Sequence, residues 1–311
     1  MNETSAITLS FKLNVVLLCA VNVLFTFVGI FLNSVVILSL LSSPLRRKLC
    51  YFTILVLAFC DLAMVVVFHP MITFQVTSHW VFMGSAENIP EDPYKYFSQL
   101  SVFSLAALLT MTFERYLALE HPFFHERFIT RSKLMVIFVI FQLPSCAMYV
   151  ILILLNPKDD SEKIAVKIGE NASVGAALLA ILFFNFKIFY IARTQQKRMV
   201  IPLGDFEEDA QKNIQAKTKI SSGKISACLM AVVCMIVCYL PFIISSGLEM
   251  NKPEDRGNET LFFIYHWSWT FFTLNSSLNC LIFFYMNSAL RRHGEKIAAK
   301  CLGARLRVHV L

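Results

Sequence analysis

One carboxylate, Asp61, lies in a run of otherwise uncharged residues from Leu49 to Ser78. At the centre of a bilayer a charged side chain costs about 2.5–3.5 kcal/mol on insertion scales, so we expect Asp61 to face other helices and find polar partners there. Polar residues at a similar depth in other uncharged runs are Asn33, Ser104, Asn275, Ser276 and Asn279. A carboxylate among neutral oxygens suits a small hard cation such as Na⁺, or a water-filled hydrogen-bond network. The alternative is that these Ser and Asn side chains only join membrane helices to one another.

A second group of polar side chains, Glu114-Arg115-Tyr116, directly follows the uncharged run Tyr96–Phe113. The opposite charges of Glu114 and Arg115 can neutralise each other where the helix leaves the membrane. The alternative interpretation is an interfacial pair whose long side chains reach toward the lipid headgroups.

His121 and His125 have the i,i+4 spacing of two metal ligands on one helix face, but no further ligand stands near them in the sequence. We therefore expect a solvated surface pair instead of a metal site. The sequence also lacks the motifs H-E-x-x-H, G-x-x-x-x-G-K-[ST] and G-x-S-x-G. With no such constellation, we do not expect an enzyme.

The composition indicates that these side chains are held in a membrane. Of 311 residues 57% are hydrophobic and 16% charged, and the mean hydropathy is +0.62. Soluble domains are about 45–50% apolar and about 25% charged, so a water-soluble enzyme is excluded. Runs of about 20 apolar residues are long enough to cross a bilayer as helices. Seven such runs are Leu13–Leu41, Leu49–Ser78, Tyr96–Phe113, Leu134–Pro157, Asn171–Ala192, Ile225–Leu248 and Thr260–Leu290. We predict an all-α, polytopic seven-transmembrane helix bundle.

The distribution of basic residues predicts the orientation of this bundle. With the N-terminus outside, 20 of the 28 Lys and Arg residues fall in inner segments and 7 in outer ones. This asymmetry follows the positive-inside rule, so the N-terminus is predicted to be extracellular and the C-terminus cytoplasmic. The net charge of +7 then reflects topology and contact with lipid headgroups, and we expect no nucleic-acid partner. Sequons on the outer side make Asn2, Asn171 and Asn258 candidates for N-glycosylation.

Several motifs occur in matching order in these runs. They are Gly29-x-x-x-Asn33, Leu57-Ala58-Phe59-Cys60-Asp61, Glu114-Arg115-Tyr116 with Pro122, Cys238-Tyr239-Leu240-Pro241, and Asn275-Ser276-x-x-Asn279-Cys280-x-x-Phe283. In this order the chain resembles the rhodopsin-like (class A) G-protein-coupled receptors from about Leu13 to Arg292. It departs from their pattern by lacking the usual outer disulfide and the proline of span five. These two absences give a lean toward the melanocortin, cannabinoid and lysophospholipid branch.

The resemblance implies roles for the residues singled out above. In that family the positions of Asp61, Ser104, Asn275, Ser276 and Asn279 hold a Na⁺ ion, which acts as an allosteric ion. The residues implied in G-protein coupling are Glu114, Arg115, Tyr116 and Tyr190. A short cytoplasmic helix is expected from about Phe284 through Arg292, with Cys301 beyond it as a palmitoylation candidate. The implied division is an extracellular N-terminus (1–12), a receptor domain (13–292) and a cytoplasmic tail (293–311).

The resemblance also bears on the ligand. Phe97 stands where amine receptors have an aspartate, and Thr260–Leu290 has no lysine for retinal, so an amine or retinal ligand is not expected. The implied pocket residues are Phe97, Ser101, Tyr239, Phe242, Trp269 and Thr273. This aromatic lining favours a lipid-like ligand, whereas the acidic outer loops would attract a basic peptide. Ordinary packing of these aromatic rings is the remaining alternative.

We predict a plasma-membrane receptor that converts binding of an extracellular ligand into activation of a heterotrimeric G protein. The alternative is a seven-span transporter or channel that uses Asp61 as an ion or proton site. A transporter would be expected to show interrupted helices at corresponding places in two halves of the chain, and the sequence shows no such symmetry.

Overall fold

The computed structural model describes residues 3–81, 94–155, 160–199, 230, 233–248 and 259–301. Within these ranges the chain is helical apart from short turns, and none of the described residues is in a strand. The helices are α1 (Glu3–Leu41), α2 (Leu49–Val81), α3 (Tyr94–Glu120), α4 (Pro122–Phe128), α5 (Arg131–Leu155), α6 (Asp160–Met199), α7 (Val233–Leu248), α8 (Glu259–Met286) and α9 (Ser288–Cys301). The prediction of an all-α bundle followed by a short helix is confirmed.

Seven of these helices, all except α4 and α9, correspond to the seven predicted spans. Five contain segments long and apolar enough to cross a membrane: Leu9–Leu41, Leu49–Ser78, Leu100–Glu120, Arg131–Ile151 and Ile168–Thr194. The described part of α7 is shorter. α8 has the length, but polar side chains interrupt its apolar sequence. We call the end of the bundle that carries Glu114 the inner end, and the opposite end the outer end.

Two helices, α3 and α8, make most of the contacts that bring the polar side chains of the bundle together. α1 packs along α2, and α8 closes against both of them. α3 contacts α2, α5 and α6, so it lies in the middle of the bundle. α7 packs on α8 through aromatic rings, with Tyr239 4.7 Å from Phe272 and Phe242 4.8 Å from Trp269 between ring centroids. Any side chain that α2, α3 and α8 turn toward one another is therefore shielded from lipid.

The last span ends earlier than predicted. α8 stops at Met286 instead of Leu290, and α9 begins at Ser288 and runs to Cys301, well past the predicted Arg292. Between them Asn287 is non-helical, and its side-chain oxygen accepts a 2.8 Å hydrogen bond from the Tyr51 hydroxyl. An asparagine held in this way competes with continuation of the helix. α9 can then turn away from α8 and pack against α1.

Gly29 lies where α1 approaches its neighbours most closely. A Cβ atom there would stand 2.6 Å from the Ser277 hydroxyl and 2.8 Å from a methyl group of Val65, both buried. Small residues allow this kind of close contact between membrane helices.

We expect Gly29→Ala to lower the melting temperature of the protein in detergent. Overpacking costs about 1–3 kcal/mol, which opposes the gain of about 1 kcal/mol that alanine brings to a helix. Gly175→Ala is the matched control, because nothing lies within 4 Å of a Cβ atom at that position. The control should melt at or above the wild-type temperature, and an equal response of the two variants would contradict the close approach at Gly29.

Candidate functional site

Asp61 lies at the meeting point of α2, α3 and α8, and it is fully buried. The Ser104 hydroxyl of α3 donates a hydrogen bond to its Oδ1. The Asn279 amide of α8 donates to its Oδ2 at 3.1 Å, and the Ser276 hydroxyl also hydrogen-bonds to the carboxylate. The structure thus brings together four of the five residues that were predicted to surround an ion.

Asn275 is the exception to that prediction. It hydrogen-bonds to Tyr239 of α7, and among the described residues no hydrogen bond joins it to the carboxylate. Adjacent residues of a helix point about 100° apart, and here Ser276 is the one that turns its side chain directly to the carboxylate. Asn33, also expected near the acid, donates to the carbonyl of Gly29 at 3.0 Å and accepts from the Cys280 thiol at 2.9 Å.

The partners of Asp61 are all neutral. Among the described residues no Lys, Arg or His forms an ion pair with this carboxylate. A buried carboxylate needs a compensating positive charge or a proton. Its two oxygens, the hydroxyls of Ser104 and Ser276, and the amide oxygen of Asn279 form a set of hard oxygen donors. This set fits a small cation such as Na⁺.

A second polar cluster joins α1, α2 and α8 nearer the outer end. Asn22 accepts a 2.7 Å hydrogen bond from Nδ1 of His69 and donates a 2.9 Å bond to the Thr270 hydroxyl. The Thr273 hydroxyl lies 3.4 Å from the same histidine nitrogen, and all four residues are fully buried. Sequence reasoning missed this cluster. Because these polar groups of α8 face α1 and α2, the helix is buried on that side despite its polarity.

At the inner end Glu114 is almost completely buried, at 1% exposure, while Arg115 remains 36% exposed. The Arg115 guanidinium contacts one carboxylate oxygen of Glu114 at 3.5 Å. The other oxygen accepts a 3.0 Å hydrogen bond from Nε2 of His125 on α4. The expectation that His125 belongs to a solvated surface pair was therefore wrong, because the buried carboxylate needs a hydrogen-bond donor that Arg115 does not supply.

Aromatic side chains surround this inner end. Tyr116 packs 5.2 Å from Phe184 of α6, whereas Tyr190 is 63% exposed on the same helix. Among the described residues no contact joins Tyr190 to the Glu114 group, so that part of the predicted coupling set is not brought together. Sequence reasoning did not single out Phe123 of α4, which is 87% exposed. Its position directly after Pro122 was the available signal.

The predicted pocket residues fall into two groups. Tyr239, Phe242 and Trp269 pack with Phe272 in one aromatic cluster, and Tyr239 and Trp269 are buried. Thr273 is buried beside this cluster, where its hydroxyl lies near His69. Ser101 of α3 is also buried. The side chain of Phe97 lies outside the described residues.

A cavity of about 500 Å³ opens near the outer end, away from most of the predicted pocket residues. Its lining comes from α1, α7 and α8 and includes Phe11, Asn14, Pro241, Phe263, Trp267 and Phe271. The sequence did not point to this cavity, since its lining residues are far apart in the chain.

The predicted modification sites are only partly described. Asn2 and Asn258 lie outside the described residues, whereas Asn171 lies within the helix α6. Cys301 is the last residue of α9, and its side chain is not described. The cysteines whose side chains are described are all free thiols.

A family model matches most of the chain. Residues 32–283 match the family model of the 7 transmembrane receptor (rhodopsin family). That range contains Asn33, Asp61, Glu114, Arg115 and Asn279. The match concerns the family as a whole, so the lean toward one branch stays a prediction. Among curated proteins, none matches the chain.

Proposed function

The chain belongs to the rhodopsin family of seven-transmembrane receptors, and on that premise we propose that it activates a heterotrimeric G protein at the plasma membrane. Its N-terminus and outer end face the extracellular side, and α4 and α9 face the cytoplasm. The family is in general not enzymatic, and the chain acts by changing shape when a ligand binds. The transporter alternative has no independent support.

The observation that carries this proposal is the arrangement at the inner end. Arg115 keeps a third of its surface exposed although its neighbour Glu114 is buried. On α4, Phe123 is 87% exposed, a large apolar side chain at the end of the bundle that faces water. Exposed aromatic and arginine side chains at one surface are typical anchors of protein–protein interfaces. We assign this surface to the G protein.

The Asp61 cluster supports a second part of the proposal, an allosteric Na⁺ site in the inactive receptor. Asp61, Ser104, Ser276 and Asn279 are the residues that would hold the ion. The ion would supply the positive charge that the neutral partners of the carboxylate lack. Because the cluster connects α2, α3 and α8, a shift of these helices would change the spacing of its oxygens and weaken ion binding.

The ligand that we propose is lipid-like or otherwise weakly polar. Tyr239, Phe242 and Trp269 form an aromatic group near the centre of the bundle, and few charged groups accompany them. A pocket that opened among these rings would bind a ligand mainly by burying apolar surface. A basic peptide remains the alternative, because the sequence places acidic residues in the outer loops.

Phe123→Ala is expected to weaken G-protein coupling about tenfold or more. Truncation of an exposed aromatic anchor that becomes buried in an interface costs about 1.5 kcal/mol, which corresponds to about that factor. The measurement is the G-protein concentration needed for half-maximal nucleotide exchange. Phe186→Ala is the matched control. Phe186 is likewise an exposed phenylalanine, at 67%, but it lies on α6 within the membrane span. Equal coupling by wild type and Phe123→Ala would show that the Phe123 side chain of α4 is not part of the interface with the G protein.

Complex formation tests the proposed function. The purified chain in nanodiscs is mixed with heterotrimeric G proteins of each class, and bound GDP is removed with apyrase. We expect a complex that co-elutes on gel filtration and dissociates when GTPγS is added. No nucleotide-sensitive complex with any class would contradict the assignment.

A further inference from the structure

The cavity near the outer end is a groove on the side of α8 that faces away from the bundle. Its α8 lining follows one face of the helix, with the spacing i, i+4, i+7 and i+11: Thr260, Ile264, Trp267 and Phe271. Ile264 is 37% and Phe271 38% exposed, whereas Thr270 on another side of the helix is fully buried against α1. The beginning of α1 and Pro241 of α7 form the walls. The groove therefore opens toward the bilayer.

The groove has the length of one membrane leaflet. Phe271 follows Thr260 by 11 residues, which corresponds to about 16 Å along a helix. Half of a hydrocarbon core of about 30 Å is nearly the same distance. The cavity volume of about 500 Å³ lies within the range of about 300–1,000 Å³ that is typical of small-molecule sites. These dimensions fit a single lipid of the outer leaflet.

The lining of the groove carries no charge. Among the described residues its members with hydroxyl or amide groups are Ser10, Asn14, Thr260 and Ser268, all of them neutral. Ser10 and Asn14 belong to the candidate membrane span Leu9–Leu41, so the groove lies at membrane depth. A charged lipid headgroup would find no ion-pair partner there, which favours an uncharged occupant.

Two polar atoms in the groove are left without a hydrogen bond. Nδ2 of Asn14 donates to the carbonyl of Ser10 at 3.1 Å, but its Oδ1 accepts no hydrogen bond from a described residue. Trp267 packs 6.3 Å from Phe271 between ring centroids, and its Nε1 donates none to a described residue. An unsatisfied polar group in hydrocarbon costs free energy. Both atoms therefore point to a polar partner within the groove.

Asn14 and Trp267 lie at the same depth. Both α1 and α8 run inward from the outer end, and Phe11 packs on Phe263 at 5.1 Å between ring centroids. Asn14 follows Phe11 by three residues and Trp267 follows Phe263 by four, which is about one helical turn in each case. A single hydroxyl group can donate to the Asn14 oxygen and accept from the Trp267 nitrogen.

We propose that this groove binds an uncharged lipid of the outer leaflet that has one hydroxyl group and a rigid apolar body, as in a sterol. The hydroxyl bonds to Asn14 and Trp267, and the ring system lies along Ile264 and Phe271. Acyl chains of phospholipids also fill apolar grooves, but they offer nothing to the two polar atoms. A rigid body also loses less conformational entropy on binding than a flexible chain. The site is separate from the aromatic group assigned to the extracellular ligand, and it does not depend on G-protein coupling.

The first experiment labels the full-length protein in phosphatidylcholine nanodiscs that contain a photoreactive sterol with a free hydroxyl group. We expect saturable labelling of the peptides that contain Asn14 and Trp267, and cholesterol should compete with it. The corresponding 3-ketone, which accepts but cannot donate, should compete about two- to tenfold less well, the range that one hydrogen bond gives. Even labelling of all lipid-facing surfaces would overturn the proposal. Equal competition by the ketone, or by the flexible oleyl alcohol, would reject the hydroxyl contact or the rigid body, respectively.

The second experiment repeats the labelling on variants. Asn14→Leu removes the acceptor and Trp267→Phe removes the donor, and each should weaken saturable labelling about two- to tenfold. Asn185→Leu is the matched control. Asn185 of α6 also donates to a carbonyl of its own helix, that of Ile181 at 2.9 Å, but it does not line the groove. Unchanged labelling of both groove variants, or an equal loss in the control, would contradict the assigned hydrogen bonds.

The melting temperature shows whether a variant has lost the site or the fold. Sterol binds the folded protein, so it should raise the melting temperature of the wild type and of Asn185→Leu by about 2–4 °C. Asn14 and Trp267 are only half-buried, so their variants should melt near the wild-type temperature without sterol and gain less from it. A wild-type melting temperature that sterol does not change would contradict a specific site in the groove.

Discussion

Arg115→Ala should reduce G-protein nucleotide exchange about 30-fold or more while leaving the helix bundle folded. Loss of an arginine at the centre of an interface costs about 2 kcal/mol or more, which corresponds to that factor. The bundle should remain folded because Arg115 is 36% exposed and its contact with Glu114, at 3.5 Å, is a long one. The measurement is GTPγS uptake at matched amounts of receptor in nanodiscs.

Arg291→Ala provides the control for loss of a positive charge at the inner end. Arg291 is exposed on α9, and removing it changes the net charge by the same amount. It should keep exchange near the wild-type rate. Full activity of Arg115→Ala would exclude Arg115 from coupling, and equal losses in both variants would show that only the total charge matters.

The second large effect is expected at Asp61. In the wild type, NaCl should raise the melting temperature in detergent by about 2–4 °C relative to choline chloride at equal ionic strength, because the ion binds the folded state. Asp61→Asn should abolish this difference. The substitution keeps the size of the side chain but removes the negative charge that a cation requires.

Two buried serines make this test specific. Ser104→Ala removes a hydroxyl that contacts the carboxylate and should weaken the Na⁺ response. The hydroxyl of Ser39, also fully buried, donates to the Val35 carbonyl of its own helix, so Ser39→Ala should keep the full response. A Na⁺ effect that is the same in wild type and Asp61→Asn would contradict the ion site.

The helices could be predicted from the sequence because bilayer crossing demands long uncharged runs. The depth of Asp61 within its run also predicted its burial, and Glu114-Arg115 marked the inner end of α3. These features depend on position along a helix. They need no knowledge of how one helix is rotated against the next.

Rotation and docking could not be predicted in the same way. Asn275 and Ser276 are equally good ion ligands by type, but only the packing of α8 decides that Ser276 hydrogen-bonds to Asp61 and Asn275 to Tyr239. The contact of His125 with Glu114 depends on how α4 folds back on α3, which the spacing of the two residues does not reveal. The break at Asn287 depends on Tyr51, a partner on another helix.

The most direct test of the receptor assignment is nucleotide exchange by the unmodified chain. GTPγS uptake by each class of heterotrimeric G protein is measured with receptor nanodiscs and with empty nanodiscs, in the presence of lipid and peptide panels. The assignment predicts that at least one class exchanges faster with the receptor and that a member of one panel raises this rate further. No acceleration for any class, together with an Asp61-dependent Na⁺ or proton flux in liposomes, would contradict it and identify a transporter or channel.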